Sequence, residues 1–158
     1  AAAPAAAQSS ATASATSTTR IVAPITLTKD TDLAFGTVVR SADANNNVIT
    51  INETTGARTI TGTGTGALVT STSGRATYTV GGEGGQTFSI TVPASVTMTS
   101  GANNLVVTLT GTATSGTLSG SIGSAGTATF GVGGNFTLAQ SQATGNYTGS
   151  FNTTVAYN

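Results

Sequence analysis

Apolar side chains recur at every second position through most of the chain. The runs Ala76-Tyr78-Val80, Phe88-Ile90-Val92, Leu105-Val107-Leu109, Ala128-Phe130-Val132 and Phe136-Leu138 alternate with small or polar residues, chiefly Thr, Ser and Gly. A strand turns successive side chains to opposite faces, so this period predicts strands with one buried and one wet face. Nearer the start, the apolar stretch IVAPITL (residues 21–27) is followed by Leu33, Phe35, Thr37 and Val39, which fall on one face of a further expected strand. Val48-Ile49-Thr50-Ile51 follows the loop SADANNN. The pattern closes on GNYTGSFNTTVAYN, where Tyr147, Phe151, Thr153, Val155 and Tyr157 share one face, with Gly149 between them. Thr148, Ser150, Asn152, Thr154 and Ala156 share the other.

Between the runs lie GTGTG, GGEGG, SGANN and SGTLSGSIGSAG, all of them turn chemistry. No apolar set keeps helical spacing for more than one or two turns. About seven to nine short, regularly spaced strands predict an all-β, antiparallel sandwich. A β-solenoid would need a repeat of fixed period, and none is present.

Composition narrows the chemistry. The 158 residues suffice for one domain with a core. Only 6% are charged, yet 37% are hydrophobic, and that apolar share separates the chain from disordered polypeptides. So little charge suits an exported, assembled material better than a free monomer in cytoplasm. Without His or Cys, the usual catalytic triads and zinc sites cannot be built. No nucleophile–base pair stands out, so no enzyme activity and no cofactor is expected. A zero net charge without a basic patch argues against nucleic acid as a partner. No apolar run has the length of a membrane helix, so membrane insertion is not expected.

The remaining polar features read as ordinary surface. Asp30 and Asp32 form a D-x-D, expected as a charged turn rather than a calcium site. Glu53 and Glu83 are single loop acids with no partner evident. GTGTG and GVGG lack the Lys and following helix of a phosphate loop and are expected as turns. Lys29, the only lysine, sits in polar TKDTD, which disfavours an isopeptide crosslink. Four N-x-T sequons, at Asn52, Asn135, Asn146 and Asn152, fit chance in an Asn/Thr-rich chain. Asn146 and Asn152 are expected on the wet face of the final strand.

Residues 1–19 form an Ala/Ser/Thr tract with no large apolar side chain, so no independent fold is expected there. The opening AAAPAAAQSS fits what remains after a signal peptide is removed, which makes export an expectation. The division that follows is an N-terminal extension over 1–22 and a folded domain over 23–158.

Two stretches carry a family resemblance. The final one, with Gly145, Tyr147, Phe151, Val155 and Tyr157, resembles the closing strand of chaperone–usher pilin subunits. Residues 23–39, APITLTKDTDLAFGTVV, resemble the first strand and "DLxFG" turn of the spore-coat-U-like and archaic pilin group, here Asp32-Leu33-Ala34-Phe35-Gly36. Residues 21–158 most closely resemble the Thr/Gly-rich exported proteins of Gram-negative bacteria in domain-of-unknown-function family 4402. The cysteine pair of archaic pilins has no counterpart, so disulfide chemistry does not carry over.

The resemblance implies an immunoglobulin-like β-sandwich that lacks one strand and is completed by the N-terminal strand of a neighbour. The product is an extracellular, cell-surface filament with a role in adhesion or biofilm. Its partners are identical subunits arranged head to tail, with a periplasmic chaperone and an outer-membrane usher as candidates for its assembly. Over 11–23 the odd-numbered set is the more apolar. Ala11, Ala13, Ala15, Ser17, Thr19 and Ile21 are therefore expected to face the acceptor groove, and Tyr147, Phe151, Val155 and Tyr157 to form its wall. Only Ile21 is large, contributing about 1.5–3 kcal/mol on burial, so a backbone ladder must carry most of the contact. The alternative function is a monomeric secreted sandwich that binds glycan or a surface ligand through its loops.

Overall fold

The computed structural model describes residues 1–5 and 8–158; Ala6 and Ala7, inside the expected extension, lie outside the described residues. Twelve strands and no helix are present among the described residues. They are β1 (Thr26–Thr31), β2 (Val38–Val39), β3 (Asn47–Ile51), β4 (Arg58–Gly62), β5 (Ala67–Leu68) and β6 (Ala76–Glu83). The chain continues with β7 (Thr87–Thr91), β8 (Ser95–Ser100), β9 (Asn103–Gly111), β10 (Ser115–Thr117), β11 (Ala125–Leu138) and β12 (Thr154–Tyr157). All pairings between them are antiparallel, and the sheets curl into a half-barrel. The fold is the all-β sandwich that the alternation predicts.

Strand β11 organises the larger sheet. Its first part pairs with β6 from Ala125 to Val132, and its last part pairs with β3 from Gly134 to Leu138. Val132 pairs with both Ala76 and Gly111, so β9 lies on the opposite edge from β6. The order β1-β6-β11-β3-β4 results, with β9 and β8 branching from β11. The smaller of the two main sheets has the order β10-β7-β12, and β2 and β5 form a separate two-stranded sheet.

The core is built from inward-facing alternate positions, including Ile49, Val80, Phe88, Val107 and Val132. Tyr78 stacks on Phe130 across the β6–β11 pair, and Phe35 meets Phe136 edge-on, with ring centroids 5.0 and 4.9 Å apart. Both arrangements are favourable for aromatic quadrupoles.

Three sequence expectations are corrected. The stretch Gly131-Val132-Gly133-Gly134 is the middle of β11, not a turn, so the two flanking runs form one strand. Its glycines are needed for close packing. A Cβ on Gly131, Gly133 or Gly134 would run into the carbonyl oxygens of Glu53, Ile51 and Thr108 respectively. The strand expected through Leu33, Phe35, Thr37 and Val39 is broken. Gly36 takes a φ of 67°, Thr37 and Val39 are exposed, and only β2 remains. The guanidinium of Arg58 donates to the carbonyls of Phe35 (2.7 Å), Thr37 (3.2 Å) and Val69 (2.6 Å), replacing a strand partner there. Finally, the turn-like SGTLSGSIGSAG contains β10 and the fully buried Leu118.

The loop SADANNN and the GTGTG stretch are joined by buried polar side chains. Asn47 Nδ2 donates to the carbonyls of Thr61 and Gly64, and its Oδ1 accepts from Gly66 N–H. Ser41 Oγ accepts from Thr65 N–H at 2.8 Å. Burying these groups is tolerated because each is bonded. Among the described residues no helix is long and apolar enough to cross a membrane.

Because Gly133 has no room for a methyl group, Gly133→Ala is expected to destabilise the fold by about 1–3 kcal/mol. Gly74→Ala, where a Cβ meets nothing within 4 Å, should stay within about 0.5 kcal/mol of the parent. Urea unfolding of the two variants makes the comparison.

Candidate strand-accepting groove

The segment 147–157 runs antiparallel to β8 and then to β7. Thr148 and Thr99 exchange both backbone hydrogen bonds, at 3.0 and 2.8 Å, and β12 pairs with β7 from Thr154↔Thr91 to Tyr157↔Phe88. Between these anchors the ladder lapses, so the unbroken strand expected from Tyr147 to Tyr157 reduces to one bridge and β12. The gap falls opposite Pro93, which has no N–H to offer. The alternation of burial continues regardless. Tyr147, Phe151, Thr153, Val155 and Tyr157 are half-buried, while Thr148, Ser150, Asn152, Thr154 and Ala156 are exposed. Asn146 is exposed too but precedes the bridge, and neither it nor Asn152 lies in a strand.

β12 ends the smaller sheet and β1 ends the larger one. Asn158 N–H donates to Thr87 O at 3.2 Å. In an antiparallel ladder the bonding direction alternates, so Thr154 and Ala156 face β7. The N–H and C=O groups of Val155 and Tyr157 therefore point to the outer edge. Along this edge Phe151, Val155 and Tyr157 pack on the core, as do Leu27 on β1 and Leu33 beyond it. Thr153 Oγ1 is buried with no hydrogen-bond partner among the described residues.

Where the chain beyond β1, from Leu33 to Val38, meets residues 142–147 at the start of the terminal segment, there is a cavity of about 510 Å³. Leu33, Phe35, Met98, Phe136, Leu138 and Tyr147 supply its apolar lining. The rim is held by polar contacts. Tyr147 Oη donates to Ala143 O (2.8 Å) and accepts from Gln142 Nε2 (2.7 Å), and Arg40 Nη1 donates to Gln142 O (2.6 Å).

The other end of the terminal segment is closed by a clasp. Tyr157 Oη donates to Ala23 O (2.9 Å) and accepts Glu83 N–H (2.8 Å). Glu83 Oε2 accepts Ala23 N–H at 3.1 Å, and Oε1 accepts Gly123 N–H. Glu83 is thus the buried last residue of β6 with two backbone donors, not an unpartnered loop acid. Its partners lie 60 and 40 residues away in sequence, so no local signal could have revealed them.

Residues 8–24 carry no strand, turn or bend and are exposed throughout. Ala11, Ala13, Ala15, Ser17 and Thr19 therefore stand away from the body, as does Ile21, which is 84% exposed. These residues and the groove wall of Tyr147, Phe151, Val155 and Tyr157 are not brought together within one chain. The acids near β1 are engaged separately: Asp32 pairs with Lys29, and Asp30 accepts from Thr79 Oγ1. That pairing raises the Lys29 pKa above the ordinary lysine value. No group of three or more metal-ligating side chains occurs among the described residues.

Tyr157→Phe removes both hydrogen bonds of the phenol and leaves Glu83 N–H and Ala23 O short of a partner. A loss of about 1–3 kcal/mol is expected, read as a lower denaturation midpoint with an unchanged slope.

A family model described as Domain of unknown function (DUF4402) matches residues 25–157, a span that runs from the residue before β1 to the end of β12. No curated protein and no solved structure matches the chain. With all twelve strands inside the matched span, the chain belongs to the family Domain of unknown function (DUF4402).

Proposed function

We propose that the protein is a structural subunit of an extracellular filament, polymerising as each copy lends its N-terminal extension to the groove of the next. The observation that carries this reading is the unpaired outer edge of β12 beside half-buried apolar side chains, in a chain whose residues 8–22 stand exposed and outside any strand. An added strand would satisfy the outward N–H and C=O groups of Val155 and Tyr157 and cover Phe151 and Leu33. Such β-augmentation draws affinity from main-chain bonds and specificity from alternate side chains. It also removes an edge that otherwise invites uncontrolled pairing. A head-to-tail contact of this kind does not close on itself, so it yields filaments.

In this reading Ala11, Ala13, Ala15, Ser17, Thr19 and Ile21 face the groove and the intervening Thr, Ser and Arg side chains face water. The place of action is the cell surface, reached through the periplasm, in adhesion or biofilm. A glycan-binding module has less support. Five of the eight Tyr and Phe residues, Phe35, Tyr78, Phe88, Phe130 and Phe136, are buried and offer no exposed stacking platform.

Deleting residues 1–22 is expected to give a folded protein that stays monomeric where the full chain forms filaments, seen by electron microscopy and size-exclusion chromatography. Filaments from the truncated protein would refute strand donation by this segment.

A further inference from the structure

We infer that the cavity at Leu33 and Tyr147 is the seat for Ile21 of a second copy, and that this contact sets the register of the whole added strand. The inference rests on the filament reading above and adds to it a single alignment of donor on acceptor.

Three observations lead to it. First, Ile21 is the one large aliphatic side chain among the expected groove-facing positions, and it is 84% exposed in its own chain. The 510 Å³ cavity offers it a wall of Leu33, Met98, Leu138 and aromatic rings, with polar side chains such as Arg40 and Gln142 at its rim.

Second, Ile21 cannot fill the cavity of its own chain. Ala23, two residues on, is pinned by Glu83 and Tyr157 at the opposite end of the groove. Two residues reach roughly 7 Å at full stretch. The segment from Tyr157 back to Tyr147 covers up to about 30 Å at ~3.3 Å per residue. Folding the extension back on its own body would bring Ala11 towards the cavity and leave Ile21 at the clasp. An Ile21 seated in the cavity therefore comes from another copy.

Third, the lengths agree. A donor that runs antiparallel to the terminal segment, with Ile21 opposite Tyr147, brings Ala11 opposite Tyr157. Residues 11–21 and 147–157 are both eleven residues long. In this alignment Thr19 faces Gly149, Ser17 faces Phe151, and Ala15, Ala13 and Ala11 face Thr153, Val155 and Tyr157. Small donor side chains thus meet the stretch where the acceptor's own rings and methyls already fill the space. The outward backbone groups of Val155 and Tyr157 meet Ala13 and Ala11. The donor's body emerges at the cavity end, so its clasp end faces the acceptor's cavity end and the contact repeats.

The chain has no cysteine, so engineered pairs report the register without background. Thr154 bonds to β7, which makes Ser14 and Thr154 a non-hydrogen-bonded pair in this register, with Cα atoms about 4.5 Å apart. That separation is within disulfide reach, whereas a two-residue slip puts the pair at about 7–8 Å. Full-length protein carrying Ser14→Cys and Thr154→Cys is expected to give a ladder of covalent multimers on a non-reducing gel. Thr12→Cys or Thr16→Cys paired with Thr154→Cys should not. Crosslinking through Thr12 or Thr16 instead would overturn the register while leaving strand donation standing. Monomers in every pairing, with no filaments from the parent protein, would overturn the filament reading itself. As a second measure, Ile21→Ala should speed filament dissociation roughly ten- to a hundredfold, the loss expected for emptying one apolar seat. An unchanged rate would remove Ile21 from the cavity.

Discussion

The three-sided pairing of β11 is the constraint from which the architecture follows. One strand of fourteen residues bonds β6 and β3 in succession on one edge and β9 on the other. To serve all three it must let neighbouring backbone come close, and Gly131, Gly133 and Gly134 allow this by carrying no side chain. The large sheet built on it curls into a half-barrel. The small sheet β10-β7-β12 then covers part of the apolar interior, and β1 and β12 are left as neighbouring edges. The groove is therefore a by-product of how β11 is shared, not a separate element.

Charge contributes little to this arrangement. The one side-chain ion pair among the described residues, Lys29–Asp32, lies at the surface, where solvent screens it. Arg58 and Arg75 instead cap backbone carbonyls, Arg58 at Phe35, Thr37 and Val69 and Arg75 at Glu53. Guanidinium groups suit this use because their several N–H donors fan out in one plane. Glu83 performs the complementary task, accepting from two amides. In a chain with so few ionisable side chains, most of those that are engaged complete the main-chain hydrogen bonding of irregular segments.

Period-two patterning was readable wherever both faces of a strand differ. Tyr78 and Val80, Phe88 and Ile90, and Leu105, Val107 and Leu109 are all buried as their spacing predicts. The pattern failed where hydrogen bonding, rather than burial, defines the structure. Thr37 and Val39 look like strand residues, yet Gly36 turns the chain and Arg58 takes the carbonyls. β5 and β10 are strands of two and three residues whose existence depends on the partner strand. Gly131 to Gly134 read as a turn because glycine marks both tight turns and tight packing, and only the neighbours decide between them. At the groove, the half-burial of Tyr147, Phe151, Val155 and Tyr157 was legible from alternation. The clasp was not, since it joins Ala23, Glu83, Gly123 and Tyr157 from four distant parts of the chain.

That clasp has a mechanical consequence. A pull on residues 8–22 reaches the sandwich at Ala23, whose N–H is tied to β6 through Glu83 and whose C=O is tied to β12 through Tyr157. Tension is thus divided between an inner strand of the large sheet and the edge of the small one before it arrives at the β1–β6 ladder, so the edge strand β1 would not have to peel away alone under load.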